Sequence, residues 1–318
     1  MGRVLKKEVY KEFLKSLLLE GELVAPVTTD MTRFTVIKDV ETIDLNGSNP
    51  FFPIKKYFLP SKETLFLIKD GKLAKTNSES VKRIIFGARL CDINGIAILD
   101  KLYLDKDFPD EHYKEKRDHT IIVGINCLTP PSGHCFCGSM NLQKEAYDLM
   151  LHERDNDFYI DVLTSKGEKL VSKLPKDDFD YPLPKTNKNL TRKDLKPFMA
   201  PEYWVEDVEK CVSCQRCTIL CPTCFCFDLQ DMLRPNLSEG ERVRTIDSCH
   251  SKDFTEISGG HVFREKRLNR YRHRVMHKLQ WFEDKFGRSM CTGCGRCIEY
   301  CHSKIDFVDT LNNLESEK

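Results

Sequence analysis

"CVSCQRCTILCP", residues 211–222, sets three cysteines at two-residue intervals and a fourth after an interval of three. The same C-x2-C-x2-C-x3-C spacing returns in "CTGCGRCIEYC", residues 291–301. Three thiolates so spaced can wrap one corner of an iron–sulfur cubane, each reaching a different iron. The fourth turns away and reaches a neighbouring cluster. The spacing therefore predicts two [4Fe–4S] clusters with exchanged fourth ligands. One takes Cys211, Cys214, Cys217 and Cys301; the other takes Cys291, Cys294, Cys297 and Cys221. A zinc ribbon would use two Cys-x-x-Cys pairs around one tetrahedral ion, which two identical four-cysteine runs fit poorly.

The totals agree with a metalloprotein. The chain has 318 residues and 15 cysteines, an odd number that pairwise disulfides cannot exhaust. No signal peptide precedes them, so reduced, metal-binding thiols in the cytoplasm are expected. A net charge of +1 excludes a chain-wide polycation, and no nucleic-acid partner is expected. Apolar runs such as "RIIFGARL" and "HTIIVGIN" are far shorter than a membrane span, so no membrane partner is expected either. The N-terminal "MGRVLKKEVYKEFLKSLLLEGE" reads as an amphipathic helix.

Cys91, Cys127, Cys135 and Cys137 lie apart from the other eleven cysteines, which fall between Cys211 and Cys301. Between the groups runs a Pro-, Lys- and Asp-rich stretch with the composition of a long exposed connector, which places a boundary near residues 175–205. The expected organisation is a domain over residues 1–190 carrying a four-cysteine site and a helical ferredoxin-type domain over residues 191–318. In the first, "RFTVIK", "TLFLIK", "KRIIFG", "TIIVGI" and "FYIDVLT" read as strands, and "CDINGIAILDKLYL" reads as a helix. Strand, helix and strand from Lys82 to Asn126 imply a parallel pair with a crossover helix. Cys91 and Cys127 each follow one of these strands, so both would emerge at the carboxyl edge of the sheet, where α/β folds collect ligands. In the second half the longest helix candidate is "REKRLNRYRHRVMHKLQWFEDKFG", with Leu268, Tyr271, Val275, Leu279 and Phe282 on one face. Good strand signals are lacking there. The fold class is thus α+β, an N-terminal α/β domain followed by an all-helical two-cluster domain. With its long helical interval between Cys221 and Cys291, that domain resembles the helical two-cluster ferredoxin fold of fumarate-reductase and heterodisulfide-reductase subunits.

Several blocks carry a wider resemblance: "GARLCDINGIAILD", "INCLTPPSGHCFCGSM", "CVSCQRCTILCPTCFCFD", "DSCHSKDFTEISGGHVFR", "RHRVMHKLQWF" and "CTGCGRCIEYC". In this order they resemble one family, the iron–sulfur β subunit of soluble sulfhydrogenases and its counterpart in anaerobic sulfite reductase. Two departures are Gln215, where a glycine is common, and His302, where a proline follows the last cysteine. The resemblance implies an electron-transfer subunit without substrate chemistry of its own. It would work beside a flavoprotein subunit that holds FAD and oxidises NAD(P)H, and beside a hydrogenase or sulfite-reductase catalytic subunit. It also implies that Cys91, Cys127, Cys135 and Cys137 hold a third [4Fe–4S] cluster. Four cysteines are a full ligand set for a cubane, which agrees.

Two other readings of the cysteines stay open. One is a thiol/disulfide reductase working through Cys135 and Cys137; the other is a zinc-stabilised binding module. Cys224, Cys226 and Cys249 are left without an assigned role, with burial as small hydrophobes the plainest account. The basic run Arg264–Lys278 reads first as a solvated helix face. Two alternatives are a source of positive field near the clusters and a dock for an acidic partner.

Overall fold

The computed structural model describes residues 2–76 and 81–315. The first part of the chain runs β1 (Gly2–Lys6), α1 (Tyr10–Glu20), β2 (Glu22–Thr28), β3 (Thr32–Val36), β4 (Lys62–Lys69) and β5 (Lys72–Lys75). It continues with β6 (Arg83–Arg89), α2 (Leu90–Tyr103), α3 (Glu111–Asp118), β7 (Thr120–Ile125), β8 (Leu149–Glu153), β9 (Asp157–Val162), α4 (Ser165–Val171) and β10 (Lys176–Asp177). The remainder holds α5 (Val205–Lys210), α6 (Arg216–Ile219), β11 (Phe227–Leu233), β12 (Gly240–Ile246), α7 (Arg267–Met276), α8 (Phe282–Phe286), α9 (Arg296–Glu299) and α10 (Phe307–Asn312).

Eight strands form one mixed sheet in the order β10-β1-β9-β8-β7-β6-β2-β3. Its centre is parallel: β2 with β6, β6 with β7, and β7 with β8. The expected β6-α2-β7 crossover is present, with Ile84 opposite Ile121 and Ile85 opposite Ile122. Central parallel strands covered on both faces read as continuous apolar runs, which is why "RIIFGAR" and "TIIVGI" were legible. Ile84, Phe86, Ile121, Val123, Leu149 and Leu151 pack on one face with Phe13, Leu14 and Leu17 of α1. Ile85, Ile122 and Met150 point to the other face, where α2 and the cysteine-bearing C-terminal part share one core with them. The N-terminal helix begins later than its pattern suggests, because residues 2–6 add β1 to the sheet through β9 and β10.

The α+β class is what the chain adopts, but its C-terminal part is not all-helical. β11 and β12 form a hairpin, and β12 pairs with β4, giving a second sheet in the order β11-β12-β4-β5. Strands from both sides of the expected boundary at residues 190/191 therefore lie in one sheet, and residues from both sides lie in one core. The expected exposed connector is anchored as well. Tyr181, Leu190, Leu195 and Phe198 are buried along it, and Trp204 is sealed at its end with its indole N–H on the Phe198 carbonyl at 2.8 Å. Its polar composition hides four apolar residues, each enough to pin an extended segment to the core.

The long C-terminal helix spans α7 and α8 continuously, joined by a π-helical turn over His277–Trp281. The expectation of a solvated basic face does not hold for all of it. Arg270, Arg274 and Lys278 recur every fourth residue, share one face, and are buried.

Candidate metal centres

Both ferredoxin-type runs adopt the same local path. Each enters from a loop, passes two residues with positive φ, and closes in a one-turn helix, α6 or α9, before the fourth cysteine. The left-handed positions are Ser213 (φ 53°) and Gln215 (φ 66°) in the first run and Gly293 (φ 67°) and Gly295 (φ 77°) in the second. This winding turns backbone N–H groups inward onto sulfur. Ser213 N donates to Cys211 Sγ at 3.4 Å, Gly293 N to Cys291 Sγ at 3.5 Å, and Ile305 N to Cys301 Sγ at 3.3 Å.

The departure at Gln215 has a spatial explanation. A Cβ on Gly293 would lie 2.6 Å from the Cys137 backbone, and one on Gly295 2.5 Å from the His134 carbonyl oxygen. The second run is pressed against the N-terminal cysteine loop, so only glycine fits. The first run faces outward, with Val212, Cys214 and Arg216 exposed, and a side chain at residue 215 costs only backbone strain. His302 is likewise exposed, whereas its counterpart Pro222 is buried.

The fourth cysteine of each run lies near the first three of the other. Cys211, Cys214 and Cys217 line one cavity together with Cys301 and Cys297. Cys291, Cys294 and Cys297 each lie within electrostatic reach of Cys221. The N-terminal four also converge. Cys91 sits in the first turn of α2 directly after β6, Cys127 follows β7, and parallel pairing sets both at the same edge of the sheet. The loop 134–137 folds back so that Cys137 lies within reach of Cys135 and Cys127, and Cys91 within reach of Cys137. Asn49 Nδ2 donates to Cys135 Sγ and Arg89 Nη1 to Cys127 Sγ, both at 3.5 Å. Among the described residues no three His, Cys, Asp or Glu side chains close on a single metal ion.

The second and third sets touch. Phe136 N donates to the Gly293 carbonyl at 2.9 Å, and the Cys135 thiol lies 3.7 Å from the Cys294 carbonyl oxygen. Asn49 Nδ2 also reaches that carbonyl, at 2.9 Å. Beside them Arg296, 0 % exposed, forms a two-pronged ion pair with Asp92 at 2.5 and 2.8 Å, fastening α9 to α2.

Burial opposes anionic sulfur here, and nearby buried cations offset that. Burial pushes the Cys291 thiol up to about 11 and the Cys294, Cys297 and Cys137 thiols up to about 12. Binding iron replaces those protons and leaves buried negative charge, which needs compensation. Buried basic side chains lie where it would form. Arg274 faces Cys217, Cys297, Cys224 and Cys221, and Lys278 faces Cys221, Cys224 and Cys291. Burial opposes their charge, yet the sulfurs hold both above their ordinary values. Lys55 faces Cys224 and Cys221, and there burial prevails and lowers it. Among the described residues Arg274 Nε has no hydrogen-bond partner. Sequence reasoning missed Lys55, Asn49 and Arg89 altogether. For Arg274 and Lys278 the four-residue recurrence with Arg270 was the available signal.

Cysteine sets of this geometry define an iron–sulfur protein. The family of the "4Fe-4S dicluster domain" matches residues 210–305, which contain both runs. Over nearly its whole length the chain is similar to the sulfhydrogenase 2 subunit beta of Pyrococcus furiosus, at 32% identity over 331 aligned residues that cover 98% of this chain and 97% of the relative. The chain belongs to this sulfhydrogenase beta-subunit family, and it is an iron–sulfur electron-transfer subunit. No solved structure matches it. No helix among the described residues is long and apolar enough to cross a membrane.

Proposed function

We propose that this chain relays single electrons between a flavoprotein subunit that holds FAD and oxidises NAD(P)H and a catalytic subunit of the hydrogenase or sulfite-reductase type, in the cytoplasm. We further propose the ligand sets: Cys211, Cys214, Cys217 and Cys301; Cys291, Cys294, Cys297 and Cys221; and Cys91, Cys127, Cys135 and Cys137. The name of its relative, a sulfhydrogenase subunit, supports work within a multi-subunit complex. The observation that supports the reading is proximity: Cys301 lines one cavity with Cys211, Cys214 and Cys217, and Cys221 lies within electrostatic reach of Cys291, Cys294 and Cys297.

When bound, a [4Fe–4S] cluster accepts and releases one electron at a time. The chain supplies the conditions for that. Burial of Cys91, Cys135 and Cys294 excludes water from the sulfurs. The N–H groups of Ser213, Gly293, Ile305, Asn49 and Arg89 hold the sulfurs in place and spread their charge. Arg274 and Lys278 favour the more negative, reduced state and so raise the potential.

The test is anaerobic purification of the full chain followed by iron and sulfide analysis and EPR. At least about twelve irons per chain are expected from three cubanes. Cys135→Ser should lose about four of them together with one reduced-state signal. Unchanged iron in that variant would return Cys135 and Cys137 to the free-dithiol reading. A colourless protein with zinc and no iron would overturn the whole assignment. The partner reading predicts co-purification with an FAD-containing subunit from the native source.

A further inference from the structure

Cys224, Cys226 and Cys249 belong to none of these sets, yet the fold gathers them. Phe227 pairs with Ile246 at the open end of the β11–β12 hairpin, and Asp247 N donates to the Cys226 carbonyl at 2.9 Å. That closure sets Cys226 against Cys249, whose thiol and backbone N–H both hydrogen-bond to the Cys226 sulfur. Cys224, one turn after Cys221, hydrogen-bonds to that residue's thiol. All three line a cavity of about 240 Å³ together with His273, His277 and Lys278. The His277 ring stands edge-on to Phe225, the residue between the first two cysteines, at 6.1 Å between centroids.

Burial as small hydrophobes does not account for what surrounds them. Lys55 and Lys278 are buried against these thiols, with Lys55 Nζ on the Cys224 carbonyl and Lys278 Nζ on Thr223 Oγ1, both at 2.8 Å. Cys221 and Cys224 hold Lys278 charged, whereas burial lowers Lys55, so neutral thiols in this cavity would leave the buried lysines under-compensated. Thiolates on iron would supply the counter-charge.

We propose that Cys224, Cys226 and Cys249, with the His277 imidazole as fourth ligand, hold a further [4Fe–4S] cluster beside Cys221. The set of Cys291, Cys294, Cys297 and Cys221 then becomes a branch point. It adjoins the Cys211 set through the exchanged cysteines, the Cys135 set through Gly293 and Cys294, and the new set through Cys221 and Cys224. Transfer along the third branch moves one electron, oxidising one cluster as the other is reduced, with no bond made or broken. The inference rests on the ligand sets proposed above for its electron supply, and iron counts separate the two.

The full chain, purified anaerobically, should contain about sixteen irons and sixteen sulfides. The double variant Cys226→Ser/Cys249→Ser should lose about four irons while Cys135→Ser loses a different four. About twelve irons, unchanged in the double variant, would overturn this inference and leave the three-cluster reading standing. So would one zinc per chain with those twelve irons, or a Cys226–Cys249 disulfide found by mass spectrometry. Fewer than about eight irons would defeat both readings. Should the double variant fail to fold, His277→Cys gives a second measure. It should keep all sixteen irons and shift one EPR component, whereas His273→Ala should leave the spectrum unchanged. A His277→Cys spectrum identical to that of the unaltered protein would overturn the ligand assignment.

Discussion

Replacing Lys278 with methionine keeps most of the side chain's length and removes its charge. The ammonium is buried, bonds to Thr223 Oγ1 at 2.8 Å, and faces Cys221, Cys224 and Cys291. A unit charge about 6 Å from a redox centre, at an effective dielectric of about 20, changes the cost of adding one electron by about 2.8 kcal/mol. For a one-electron couple, where tenfold in the equilibrium constant is 59 mV, that is about 120 mV. Because the charge is positive, its loss disfavours the reduced state. Lys278→Met should therefore lower the midpoint potential of the Cys291 set by about 100 mV, with iron content unchanged. Lys278→Arg should restore most of it. The sulfurs hold Lys278 above the ordinary lysine range, so the ammonium persists across neutral pH and the shift should be the same at pH 6.5 and 8.5. The assay is an EPR-monitored redox titration under argon, with iron measured on the same samples. A midpoint unchanged within about 20 mV, or raised, at full iron content would refute the placement of this charge.

Gly293→Ala would drive a methyl into the Cys137 backbone at 2.6 Å and should lower the melting temperature and strip iron from both adjoining sets. Gln215→Gly, by contrast, relieves a left-handed residue on the outward run and should stabilise the holoprotein by about 1 kcal/mol in thermal melts. Asp92→Asn leaves Arg296 buried and uncompensated, for a loss of about 3–5 kcal/mol in denaturant unfolding. Asp92→Leu combined with Arg296→Met should lose less than the two single changes added together. Because burial raises the Cys291, Cys294 and Cys297 thiols to about 11–12, each is protonated at neutral pH and must release a proton to iron. Reconstitution of iron-depleted protein should therefore speed up from pH 7 to pH 9, followed by absorbance near 400 nm; a flat profile would count against buried ligands.

The cysteine spacing was legible because cluster geometry fixes the intervals between ligands, and no packing argument can move them. The β6-α2-β7 unit was legible because burial on both faces leaves unbroken apolar runs. The β11–β12 hairpin was not. "FDLQDML" is almost wholly exposed, so no face of it carries an apolar signal, and the hairpin is held by its ladder and by Arg242 on Asp231 at 2.7 and 2.8 Å. The buried cations were hidden for a related reason. Their partners are sulfurs and backbone carbonyls distant in sequence, so Lys55 looks like any surface lysine until Cys224 is brought to it. The connector was misread because composition averages away four anchoring residues.

The close fit of Gly293 and Gly295 into the loop 134–137 has a consequence for how the protein is made. Cys135 and its contact on Cys294 are 159 residues apart, so the loop leaves the ribosome long before the segment that completes it. At about 5–20 residues per second, its thiols wait roughly 8–30 s without their closing partner. Maturation at this site thus waits for synthesis of the segment that carries Cys294. The nascent chain must be shielded from oxidants over that interval, which makes iron delivery and thiol protection a matter of timing as much as affinity.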